Sequence, residues 1–146
     1  MFARKIIFFL FILCSKVALS QSIFYYPFNS LLGFNTNSEK KLWLDAKLQT
    51  NSYFSSLGTE IAPQINLNNN DKIKFFLGAG FKLNYLNLAN NAKVLDGYFL
   101  NSGFRASPFE KHKKIQIAFE ISPYVNNKFD LGLFRSHLGI GYNFSK

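Results

Sequence analysis

The chain has 146 residues, a single cysteine and a formal charge of +9, from 17 Lys and Arg against 8 Asp and Glu. The length suits one domain, and the bases are scattered rather than gathered into a stripe, which excludes nucleic acid as a partner. Eighteen Phe and seven Tyr at a mean hydropathy near zero require polar residues interleaved with the apolar ones.

Residues 1–20 have the form of an export signal. Arg4 and Lys5 precede an unbroken apolar run over 6–13, and Ala18-Leu19-Ser20 offers the small residues a signal peptidase reads. Cleavage is expected after Ser20, leaving a mature domain of residues 21–146. Loss of Arg4, Lys5 and Lys16 lowers the charge from +9 to +6. The apolar run falls well short of the ~20 residues of a spanning helix. Cys14 lies inside the leader behind bulky Leu13, which disfavours lipidation. The mature chain then has no thiol, so disulfides, thiolate metal sites and cysteine nucleophiles are excluded together.

From there the apolar pattern has a period of two, which predicts strands. Residues 23–28 and 31–37 are weakly patterned candidates. Over 42–50, Leu42, Leu44, Ala46 and Leu48 oppose Trp43, Asp45, Lys47 and Gln49. Over 58–67, Ile61, Pro63, Ile65 and Leu67 oppose Glu60, Ala62, Gln64 and Asn66. The longest segment, 72–87, sets Ile73, Phe75, Leu77, Ala79, Phe81, Leu83 and Tyr85 against Lys74, Phe76, Gly78, Gly80, Lys82 and Asn84. Over 97–108, Tyr98, Leu100, Phe104 and Ala106 oppose Phe99, Asn101, Gly103 and Arg105. Ile115, Ile117, Phe119 and Ile121 then oppose Gln116, Ala118, Glu120 and Ser122. Last, Leu138, Ile140, Tyr142 and Phe144 oppose Arg135, His137, Gly139, Gly141 and Asn143. Asn- and Asp-rich links separate these runs and tolerate turn dihedrals.

Six strands are thus clearly patterned, and short links predict antiparallel up-and-down connectivity. Single-chain bacterial membrane barrels have an even count of eight or more. We therefore expect an all-β, eight-stranded transmembrane barrel whose first pair is weakly patterned; six strands around a packed N-terminal segment is the competing count.

Alternation alone does not say which face is inward, because soluble barrels place apolar residues inside and membrane barrels place them outside. The polar face decides it. It combines Asp45, Lys47, Glu60, Lys74, Lys82, Arg105, Glu120, Arg135 and His137 with Gly78, Gly80, Gly103, Gly139 and Gly141. Glycine weakens a solvent-facing strand, whereas in a narrow lumen it makes room for long charged side chains. The mixed signs suit a self-neutralising interior network, for which Asp45, Lys47, Glu60, Lys82, Arg105, Glu120, Arg135 and His137 are the candidates. The opposite face is nearly free of charge, and Tyr85, Tyr98 and Tyr142 near strand ends suit an interfacial aromatic girdle.

Several strand and turn patterns carry a resemblance: Leu77-Gly78-Ala79-Gly80-Phe81, Gly97-Tyr98-Phe99, Gly103-Phe104-Arg105, Ser107-Pro108-Phe109, Glu120-Ile121-Ser122-Pro123-Tyr124 and Leu138-Gly139-Ile140-Gly141-Tyr142-Asn143-Phe144. Over residues 43–144 the chain resembles the small outer-membrane β-barrel proteins of Bacteroidota. The resemblance implies a fold and a bacterial outer-membrane location, not an activity. The near-terminal Phe144 is similar to the aromatic by which such barrels are recognised for assembly, although Ser145 and Lys146 follow it. Implied partners are outer-membrane lipid, the barrel-assembly machinery during biogenesis, and a protein partner or a second copy of the chain.

Catalytic and cofactor chemistry finds little support. His112 and His137 have no ligand-spaced partners, so no metal is expected. Gly78-Ala79-Gly80 sits inside a strand with no helix after it, so a dinucleotide site fails on context and no cofactor is expected. A lipid-acting enzyme would use His137 as base, Ser122 or Ser136 as nucleophile and Asp45 or Glu120 as orienter, but no spacing selects that set. The expected role is structural, accessory or partner-binding, without catalysis. The alternatives are a soluble exported barrel holding a small apolar ligand, then the lipid enzyme. An eight-stranded lumen just fills with side chains, which favours a plug over a pore. Residues 87–93 and Tyr53-Phe54-Ser55-Ser56 are the best loop candidates for binding.

Overall fold

The computed structural model describes residues 22–50, 58–68 and 70–145. The expected leader, residues 1–20, and the binding candidate Tyr53-Phe54-Ser55-Ser56 lie outside the described residues. The strands are β1 Ser22–Tyr26, β2 Leu31–Asn35, β3 Leu42–Gln49, β4 Gly58–Asn66 and β5 Ile73–Asn84, then a one-turn helix α1 Leu86–Ala89. They continue as β6 Leu95–Ala106, β7 Ile115–Ile121, β8 Tyr124–Asn126, β9 Gly132–Leu133 and β10 Ser136–Asn143.

The wall is an eight-stranded antiparallel barrel. Each strand from β1 to β6 pairs with the next, β7 pairs with β10, and β10 pairs with β1 to close the ring. β8 and β9 are upward continuations of β7 and β10. Pro123 has no N–H to give to the ladder, so β7 stops before it and β8 resumes after it, paired with the start of β6. The patterned runs ending at Ser122 and beginning at Arg135 therefore belong to two longer, interrupted wall strands. β1 and β2 are wall strands, which removes the alternative of a packed N-terminal segment. The run expected to extend to residue 87 ends as a strand at Asn84, and Tyr85 precedes α1.

Why β1 fits despite its weak pattern is visible in its neighbours. Phe24 faces Gly33 on one side and Gly141 on the other. A Cβ at Gly141 would lie 2.4 Å from the Phe24 ring, and one at Gly139 would lie 2.6 Å from the Tyr26 ring. Glycine lets these inward rings lie flat across the adjoining strand, burying both completely.

The two ends differ. The β2–β3, β4–β5 and β6–β7 turns share one end with Ser22 and Ser145. The β1–β2, β3–β4, β5–β6 and β8–β9 links share the other. Wall height is also uneven: β5 and β6 have 12 residues each, β1 and β2 only five. At ~3.3 Å per residue that is roughly 40 Å against 17 Å.

The inward face is polar and the outward face apolar. Asp45, Lys47, Glu60, Arg105, Glu120 and His137 are all buried, Glu120 completely. Outward, Leu42, Leu100 and Ile140 are 68, 58 and 62% exposed, and Phe75, Leu77, Leu138 and Tyr142 join them. Among the described residues no helix is long and apolar enough to cross a membrane.

Candidate functional site

The lumen is built because alternate residues of each strand point inward and the inward set includes long charged side chains. From the end that carries Ser22 and Ser145, the first layer pairs Lys74 with Glu39 at 2.5 Å, and Asn143 donates to Glu39 at 3.0 Å. Beside it the Trp43 indole N–H donates to Asn66 Oδ1 at 3.0 Å, and the Asn66 amide donates to the carbonyls of Ser38 and Lys40, which fixes the β2–β3 turn.

Next comes Arg105. Its guanidinium carbon lies 4.2 Å from the Trp43 ring centre, 4.4 Å from Phe24 and 5.3 Å from Phe76. Its nitrogens have no hydrogen-bond partner among the described residues, and Glu120 is 4.0 Å away. Aromatic faces, electron-rich and already desolvated, thus hold this cation; such contacts reach about 2 kcal/mol when desolvated.

The third layer is the charge centre. Lys47 pairs with Asp45 at 2.9 Å and with Glu120. Glu120 also accepts from the Tyr26 hydroxyl at 2.6 Å and from Asn101 at 3.2 Å, while Asn35 donates to Asp45. The two acids, Asp45 and Glu120, and the two bases, Lys47 and Arg105, balance to zero inside the barrel. That balance is what makes burial tolerable, since an unpaired buried charge costs several kcal/mol.

Above it Arg135 pairs with Glu60 and donates to the Ser122 carbonyl at 3.2 Å and the Ser122 hydroxyl at 3.1 Å. Its guanidinium also lies near the Tyr124 and Phe99 rings. At the far end Lys82 meets Asp96 at 3.6 Å, and the Tyr124 hydroxyl donates to Asp96 at 2.9 Å. The result is a column of ion pairs along the bore.

The structure brings Asp45, Lys47, Arg105 and Glu120 together in one cluster and Glu60 with Arg135 in a second. Lys82 goes elsewhere, to Asp96. His137 lies in the lumen with its ring 6.0 Å from Tyr26, and neither ring nitrogen has a hydrogen-bond partner among the described residues. Of the serines considered with it, Ser122 is buried and held by Arg135, whereas Ser136 is exposed. No cluster of three or more His, Cys, Asp or Glu with metal-holding geometry occurs among the described residues.

Sequence reasoning missed Asp96, Tyr26 and the aromatic cradle of Arg105. Asp96 enters through a bulge: Lys82 pairs with Gly97 and Leu83 with Leu95, so Asp96 has no partner across the ladder. The cradle had a signal, since Trp43 and Phe76 are large aromatics in the polar phase of their strands. Compared with protein-family models, with curated proteins and with solved structures, the chain matches none.

Proposed function

We propose that this chain is a small integral barrel of a bacterial outer membrane, with a structural, accessory or partner-binding role and no catalytic turnover. One observation carries the reading: the polarity of the barrel is reversed relative to a soluble protein. The buried interior holds Lys47, Arg105, Glu120, Asp45, Glu60 and His137, while the exposed wall presents Leu, Ile, Phe and Tyr. Water would leave that wall as one continuous apolar surface, far larger than soluble monomers carry. Hydrocarbon accommodates it without cost, and a closed barrel leaves no unpaired strand edge in the bilayer.

The paired lumen supports a plug rather than a conduit, because the ion pairs and rings occupy the bore at every level from Glu39 to Asp96. A role without turnover is supported by the two serines considered for catalysis: Ser122 accepts from Arg135, and Ser136 is exposed, away from the lumen. A protein partner or a second copy would meet the end links, where Phe28, Phe129 and Phe134 are 70% exposed or more.

The soluble exported barrel has one observation in its favour. β1 and β2, at five residues, are shorter than the ~9–11 that span a bilayer. Membrane fractionation separates the two readings. The outer-membrane barrel remains in the pellet through alkaline and urea washes and needs detergent for extraction. A folded monomer recovered from the soluble fraction without detergent overturns the proposal.

A further inference from the structure

We propose that the β6–β7 turn, residues 107–114, is a binding site for an anionic phospholipid headgroup. The inference rests on the membrane-barrel reading and adds to it a lipid class and an orientation.

The turn carries Lys111, His112, Lys113 and Lys114 in succession, all exposed. Its backbone is tied down, so these side chains project from a fixed frame. The His112 N–H donates to the Phe109 carbonyl at 3.2 Å, and the Ile115 N–H to the His112 carbonyl at 3.0 Å. The Asn143 N–H reaches the Lys114 carbonyl at 2.8 Å, and the Ser107 hydroxyl reaches the Lys113 carbonyl at 3.2 Å. Glu110 lies in the same turn but pairs with Lys72 at 3.0 Å. Among the described residues no ion pair joins Lys111, Lys113 or Lys114, so the turn holds surplus positive charge.

That charge stands over an apolar wall. Ile115 and Tyr142 face each other across β7 and β10 on the outward side, directly beneath the turn. Phe144 packs edge-on against Tyr142 at 5.0 Å. Glu110, Lys111, His112, Lys113, Lys114, Ile115 and Tyr142 together line a concavity of about 350 Å³. A cationic roof above an aromatic and aliphatic floor matches a phosphodiester headgroup joined to acyl chains; a free anion has no use for the floor.

Charge asymmetry fixes the orientation. The end that carries Ser22 and Ser145 has Lys40, Lys41, Lys72, Lys111, Lys113 and Lys114 against Glu39, Asp71 and Glu110. Among the described residues the opposite links carry only Lys93, Lys128 and Asp130. Moving a charged link through hydrocarbon is costly, so the sparsely charged links cross and the basic turns stay on the side of entry, against that leaflet's phospholipid.

The test uses the mature chain in nanodiscs of mixed phosphatidylcholine and phosphatidylglycerol, with retained lipid counted by native mass spectrometry. A lysine near an anionic surface contributes about fivefold, so the protein should retain the anionic lipid preferentially by about tenfold or more. The variant K111Q/K113Q/K114Q should retain both lipids equally, and K93Q/K128Q should keep the full preference. An inserted, folded protein without preference, or a triple variant that retains it, overturns this inference and leaves the barrel reading standing. Displacement of the lipid by millimolar inorganic phosphate alone overturns the lipid assignment in favour of a free-anion site. A chain that stays folded and soluble without detergent overturns the membrane reading and this inference with it.

Discussion

Replacing Glu120 by Gln tests the lumen at its most sensitive point. The substitution keeps the side-chain shape but turns a balanced cluster of Asp45, Glu120, Lys47 and Arg105 into one with an excess buried positive charge. Breaking a buried pair in this way costs about 3–5 kcal/mol. Lys47 keeps Asp45 at 2.9 Å, which places the expectation at the lower end, about 3 kcal/mol. Arg105→Met alone removes the cation from between Phe24 and Trp43 and leaves an excess negative charge. The double variant restores neutrality through Asp45 and Lys47. It should therefore be about 1–3 kcal/mol more stable than the sum of the single changes implies. Urea unfolding in detergent micelles measures this, followed by circular dichroism and by the fluorescence of Trp43, the chain's one tryptophan. Additivity within about 0.5 kcal/mol, or a Glu120→Gln cost below ~1 kcal/mol, would refute the coupled-cluster account.

Leu77→Arg places a charge on the outward face midway along β5 and should cost ~2–4 kcal/mol in lipid vesicles; a change lost in the error of the unfolding curve would argue against hydrocarbon contact there. Gly78→Val should destabilise by at least about 2 kcal/mol, because a Cβ would sit 2.4 Å from the Pro63 carbonyl and 2.2 Å from Gln64 Oε1. Gly132→Val, at a site where the nearest neighbour of an added Cβ is 3.6 Å away, is the matched control, and equal effects at both sites would undo the packing argument. Arg135→Met strands the Glu60 carboxylate and should cost about 3 kcal/mol. Glu60→Gln should cost only about 1 kcal/mol, since Arg135 keeps both Ser122 contacts; the reverse ranking in chemical unfolding would contradict this geometry.

The sequence by itself determined the all-β class and the period-two faces; it favoured eight strands over six around a packed N-terminal segment, and the structure settled on eight. The faces follow from a local rule: alternate side chains on a strand take opposite sides. It also selected the inward candidates, because glycine and mixed charge crowd one phase of the alternation. Register was beyond it. Lys82 stands opposite Glu60 on β4 yet pairs with Asp96, which one bulged residue between β5 and β6 brings into reach; the bulge lies just outside the patterned run that begins at Gly97, where alternation does not report it. The role of β1 was equally hidden, since Phe24 and Tyr26 fit only because Gly33, Gly139 and Gly141 stand on the neighbouring strands. Those glycines lie far away along the chain, at 139 and 141, as well as nearby, at 33. Only closure of β10 onto β1 brings the distant pair into place. The same closure sets Arg105 from β6 between Phe24 of β1 and Trp43 of β3, because a ring of strands converts long sequence separations into contacts across a bore one side chain wide.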